Sequence, residues 1–184
     1  MPRTTQAPGP TIDALDLDLD RAATLLQTTR PLSTTAAAFL AVQLFGNLSE
    51  EIVGNTATIA DPQVGALVGA LAPGSPLYYY LPWAPLGVAL TAILAVRLSR
   101  LDAPTWVLRR VRGALAALVI AIAAKIVLIT TINPRFRDPN STVQAIRGWA
   151  ITWAFGNGIA ILAVAAALAL LLLWRARILN ITKR

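Results

Sequence analysis

Three long, predominantly apolar windows, residues 77–96, 114–132 and 149–174, constrain this chain more than any other feature. At about 1.5 Å of rise per helical residue, each is long enough to cross a hydrocarbon layer of roughly 30 Å. A fourth candidate, residues 34–55, is apolar over 36–45 and then meets Gly46, Asn47, Ser49, Glu50 and Glu51. Its far end must therefore reach water or be buried against protein. Composition agrees: of 184 residues 56% are hydrophobic and 14% charged, where a soluble domain has about a quarter charged. The expected fold is all-α, a polytopic membrane protein built as a four-transmembrane-helix bundle, because each helix needs neighbours to cover its polar positions.

Lysine and arginine in the connections set the expected orientation. Arg97, Arg100, Arg109, Arg110 and Arg112 separate the second and third windows, and Arg175, Arg177, Lys183 and Arg184 follow the last. Those regions should face the cytoplasm, and four crossings put both the N- and C-termini there. The formal net charge of +7 thus reads as topology, and nucleic acid is not an expected partner. Residues 1–33 are expected to be a mobile N-terminus with a short interfacial helix over 12–28 that ends before Pro31. Residues 34–174 form the transmembrane domain and 175–184 a basic cytoplasmic tail. A short helix starting at Ala103-Pro104 is expected to join the middle pair.

With no Cys and no His, the chain has no disulfides, thiolate nucleophiles, imidazole bases or Cys/His zinc sites. The informative residues are the polar ones in or beside the spans, where leaving them unpaired costs several kcal/mol. Gln43, Asn47, Glu50 and Glu51 stand at i, i+4, i+7 and i+8, one stripe that should look into the bundle as a substrate site, a proton-transfer carboxylate or structural polar glue. Asn55 and Asp61-Pro62 follow in what reads as an outer loop. Tyr78-Tyr79-Tyr80 and Trp83 suit an aromatic belt, with at least one tyrosine turned inward toward a polar substrate group. Lys125 lies about midway along the third window, either snorkelling to an interface or facing a carboxylate or an electron-rich ligand.

Pro134 should turn Asn133 out of the helix, and Arg135 and Arg137, basic groups on the side that topology disfavours, are expected to pair with Glu50, Glu51 or Asp61. Trp149, Trp153 and Asn157 recur every four residues, suiting either a pocket for a flat aromatic ligand or a close-packed seam with one interhelical amide bond. Gly156 with Gly158 offers such a seam for a homo-oligomer.

Gly46-Asn47-Leu48-Ser49-Glu50-Glu51-Ile52-Val53, Asp61-Pro62, Tyr78-Tyr79-Tyr80-Leu81-Pro82, Asn133-Pro134-Arg135 and Arg147-Gly148-Trp149 resemble, in order and spacing, the anthrone-oxygenase-like family of small four-helix bacterial and fungal membrane proteins. The resemblance runs over residues 34–174. It implies tailoring of aromatic polyketides, in which an anthrone is oxidised to an anthraquinone without an evident metal or flavin. It marks Asn47, Glu50, Glu51, the Asn133-Pro134-Arg135 segment, Arg147 and Trp149. Members often carry a histidine near the aromatic start of the last helix, where this chain has Thr152, Trp153 and Asn157. An imidazole mechanism therefore does not transfer.

Two classes of function follow. One is a membrane-embedded enzyme without cofactor or metal, acting on a lipophilic aromatic or polycyclic small molecule. Glu50 or Glu51 would remove a proton, Arg135 or Lys125 would stabilise the oxyanion, and Gln43, Asn47, Tyr79, Tyr80, Trp149, Trp153 and Asn157 would bind substrate. Oxygenation, cyclisation, isomerisation and dehydration all remain open. The other is a non-catalytic membrane partner subunit or small-ligand binding module, with its charges satisfying one another within the lipid bilayer.

Overall fold

The computed structural model describes residues 12–63 and 80–181. Helices run over Ile12–Ser49, Thr56–Ala60, Trp83–Arg100, Thr105–Val127, Asn133–Arg137 and Val143–Ile181, with π-helical turns at Glu50–Asn55 and Leu128–Ile132. Each π turn joins the helices on either side of it. The result is four continuous segments long and apolar enough to cross a membrane: Gln27–Ala60, Trp83–Arg100, Thr105–Arg137 and Val143–Arg177, hereafter the first to fourth spans.

Among the described residues, the first span packs on the second and fourth, and the third on the second and fourth. Each helix thus has two neighbours, the arrangement of a four-helix bundle. The main core is built of small and branched residues such as Ala36, Leu40, Leu94, Leu118, Val164 and Leu171. Leu128, Ile132 and Trp153, with Phe136 and Trp149 against them, form a second core at one end. Large apolar side chains such as Phe45, Val119, Phe155 and Leu162 point outward, an apolar sleeve suited to acyl chains. Serine and threonine hydroxyls within the spans, Thr91, Thr130, Thr131 and Thr152 among them, return to a carbonyl four residues back. No hydroxyl hydrogen of that group is left bare in apolar surroundings.

Three local expectations are corrected. The N-terminal helix does not end before Pro31; it runs unbroken into the first span. Leu25, Thr29, Ser33, Ala36 and Leu40 are buried at three- and four-residue spacing across the proline, so packing on the bundle outweighs its cost. Nearby hydroxyls of Thr28, Ser33 and Thr34 also occupy local carbonyls. Residues 103–104 do not begin a separate connector: Pro104 caps the third span directly, after a tight turn in which Asp102 has φ 49°. Asn133 is helical, with φ −56° and ψ −39°, despite preceding Pro134. The π turn before it widens the register, and the Asn133 N–H reaches back to Leu128 O. The expected mobility of residues 1–11 lies outside the described residues.

Candidate functional site

Four polypeptide segments converge where the first and third spans each carry a π turn. Glu50 opens the turn of the first span, Lys125 lies just before that of the third, Tyr80 precedes the second span and Trp153 comes from the fourth. Such turns redirect side chains that a regular helix would point elsewhere.

The Lys125 ammonium donates to Glu50 Oε2 at 3.0 Å and to the Tyr80 hydroxyl oxygen at 2.7 Å. Tyr80 in turn donates its hydroxyl hydrogen to the same Glu50 Oε2. Lys125 and Glu50 form the one ion pair found among the described residues, and each side chain is 13% exposed. Two aromatic faces complete the enclosure: Nζ lies 4.5 Å from the Tyr80 ring centre and 5.2 Å from that of Trp153. Phe136 meets Trp153 edge-on, with ring centres 6.3 Å apart. The Tyr80 phenol thus accepts from the ammonium and donates to the carboxylate.

Glu51 is held differently. Asn55 Nδ2 donates to Oε1 at 2.8 Å and Asn157 Nδ2 to Oε2 at 2.9 Å. Asn55 also reaches Ala150 O at 3.1 Å, and Asn157 reaches Asn47 O at 3.4 Å, tying the first span to the fourth. The two acids thus have separate environments, one facing an ammonium and a phenol, the other only amides. Asn47 donates to Gln43 O at 3.0 Å, while the side-chain oxygens of Gln43, Asn47 and Asn157 are buried without a partner. The stripe Gln43, Asn47, Glu51 does point into the bundle, with Asn47 and Asn157 fully buried.

The arginines do not pair with these carboxylates. Arg135 is exposed, with its guanidinium 5.6 Å from the Trp149 ring centre, and Arg137 is also exposed. Arg147 donates through Nε to Ile59 O at 3.0 Å, closing the end of the first span onto the fourth. The expected pairing gives way because Lys125 already occupies Glu50 and amides occupy Glu51. The structure therefore joins Glu50, Lys125, Tyr80 and Trp153 in one cluster and Glu51, Asn47 and Asn157 in the next, with Gln43 below and Trp149 beside. It leaves Arg135 at the periphery, and Tyr79 lies outside the described residues.

Asn55 is the participant that a loop reading misses. Its signal is its spacing: it extends the stripe Gln43, Asn47, Glu51 by four more residues. Gly156 does mark a close approach, but within the chain: a Cβ there would lie 2.6 Å from Leu128 Cδ2, while at Gly158 it would meet nothing within 4 Å. Among the described residues no group of three or more His, Cys, Asp or Glu side chains gathers to hold a metal ion.

Compared with known proteins, the chain matches no family model, no curated protein and no solved structure.

Proposed function

We propose that the protein is a multi-pass cell-membrane enzyme that abstracts a proton from a lipophilic aromatic or polycyclic, polyketide-like substrate, with Glu50 as the base and no cofactor. The observation that carries this reading is the Glu50–Lys125–Tyr80 cluster: a base, a cation and a proton donor within hydrogen-bonding distance, beside the face of Trp153. In this reading Glu50 takes an acidic C–H or O–H proton, the Lys125 ammonium stabilises the oxyanion that develops, and Tyr80 returns a proton. Trp153 and Trp149 offer flat apolar faces to the rings. Glu51, with an amide donor on each oxygen, is a positioning residue that holds the first span against the fourth.

An anthrone-oxygenase-like reaction suits this machinery. The substrate methylene gives up a proton to Glu50, and the carbanion reduces dioxygen; overall CH2 and O2 become C=O and H2O, so no external reductant is needed. The reading also places both termini in the cytoplasm, since Arg97, Arg100, Arg109, Arg110 and Arg112 lie at the end opposite Glu50.

One observation favours a second reading, a non-catalytic partner subunit or small-ligand binding module: Lys125 and Tyr80 both engage Glu50 Oε2, and Glu51 is matched on both oxygens. Oxygen uptake and deuterium exchange at the methylene of anthrone, measured with the purified protein in nanodiscs, separate the two. The enzyme reading expects both activities in the wild type, and Glu50→Gln to lower them by about 10² to 10⁴-fold. Glu51→Gln should retain more activity than Glu50→Gln. Equal activity in the two variants would remove the base from Glu50, and exchange no faster than buffer alone would favour the second reading.

A further inference from the structure

The chain holds fourteen arginines and two lysines, and one of those lysines is Lys125 in the carboxylate–phenol cluster. Every other basic residue between Arg3 and Arg177 is arginine. Arginine is the better partner for a carboxylate wherever a fixed positive charge is all that is required, because its planar fork binds both oxygens. It cannot give up its proton, however, and an ammonium can. Among the basic residues of the four spans, Lys125 alone is one that can release its proton.

The geometry supplies what such an amine needs. Glu50 Oε2 at 3.0 Å can accept the ammonium proton, and moving that proton within the pair removes two opposite charges from an apolar span at once. The Tyr80 hydroxyl oxygen accepts from Nζ at 2.7 Å and gives its own hydrogen to Glu50 Oε2, so carboxylate and phenol share one side of the nitrogen. Trp153 and Tyr80 present ring faces within 5.2 Å and 4.5 Å of the nitrogen, where a conjugated or aromatic group bonded to it would lie. The Lys125 side chain is 13% exposed, as is that of Glu50.

We infer that Lys125 is a nucleophilic amine that condenses with the carbonyl group of a lipophilic aromatic or conjugated aldehyde or ketone to form an imine. The inference deepens the reading of the cluster as a small-molecule site and rests on it. Lys125 passes a proton to Glu50, and its nitrogen lone pair attacks the carbonyl carbon to give a carbinolamine. One N–H proton moves to the former carbonyl oxygen, and the resulting hydroxyl then takes the proton held by Glu50 and leaves as water. One C=O bond and two N–H bonds are exchanged for one C=N bond and one molecule of water, with no change of oxidation state. In the protonated imine Glu50 becomes the counter-ion, in the place it now holds for the ammonium.

The test treats the full-length protein in nanodiscs at pH 7 with 2-naphthaldehyde and cyanoborohydride, which fixes an imine as a secondary amine, and reads site occupancy by peptide mass spectrometry. Lys183 is the internal reference. Trapping at Lys125 should run at least about tenfold ahead of Lys183 and fall in Glu50→Gln, which lacks the proton acceptor. Lys125→Arg, which keeps the charge, should give no adduct at that position. Equal trapping at the two lysines would overturn the inference within the wild-type protein, whatever the variants do. Equilibrium dialysis of 2-naphthalenemethanol, which has the rings without the carbonyl, separates the two levels. Binding of the alcohol with no adduct at Lys125 overturns the imine and leaves the small-molecule site standing; neither binding nor adduct overturns both.

Discussion

A carboxylate inside an apolar span is tolerated when its charge is matched at contact distance, and Glu50 has that match in Lys125 at 3.0 Å. Removing one partner leaves the other charged and poorly solvated. Lys125→Met should therefore cost about 3 to 5 kcal/mol of stability, and adding Glu50→Leu should recover part of that loss. Steric trapping in bicelles would measure both, and a double variant no better than the single would show that an unpaired Glu50 carries no penalty. The residues themselves were legible as costly polar groups in an apolar sequence. Their pairing was not, because Glu50 and Lys125 stand 75 positions apart, and Arg135 and Arg137 were equally plausible cations by charge alone. Which cation reaches Glu50 depends on helix rotation, and the π turns set that rotation.

At the scale of the element, the π turns at Glu50–Asn55 and Leu128–Ile132 shape the site end. They carry the helices past Glu50 and Lys125 without a break, so residues 56–60 and 133–137 remain helical where the sequence suggested loops. Composition did not reveal them, since a widened turn has no residue preference strong enough to read. The third and fourth spans meet closely at Gly156, where an added Cβ would press on Leu128. Gly156→Ala is thus expected to destabilise the protein by about 1 to 3 kcal/mol, despite the better helix propensity of alanine. Gly158→Ala, which meets open space, should be neutral or stabilising. Thermal inactivation of the two variants in detergent would check the contrast, and equal behaviour would contradict the packing at this seam.

Across the whole molecule, charge and aromatic groups are divided between the two ends. One end has Trp106 between the guanidinium groups of Arg110 and Arg177, 5.2 Å and 4.8 Å from its ring centre. The other end holds the carboxylate cluster. The absence of native cysteine makes single-cysteine labelling clean. If the arginine-rich end is cytoplasmic, Asn140→Cys should react with a membrane-impermeant maleimide in intact cells, and Thr105→Cys only after permeabilisation. The reverse pattern would invert the orientation.

The four membrane-long helices and their order were determined by the sequence, because apolar windows of that length leave the backbone no way to satisfy its polar groups except as helices. The inward face of the first span was likewise readable, since Gln43, Asn47 and Glu51 recur at four-residue spacing. Tertiary structure alone decided what that face meets. Glu50 finds Lys125 and Tyr80, while Glu51 finds Asn55 and Asn157, although the two acids are adjacent in the chain. Neighbouring residues on a helix point about 100° apart, so a one-residue step sends their side chains toward different partner helices. Only the packing of the spans fixes which helix waits in each direction.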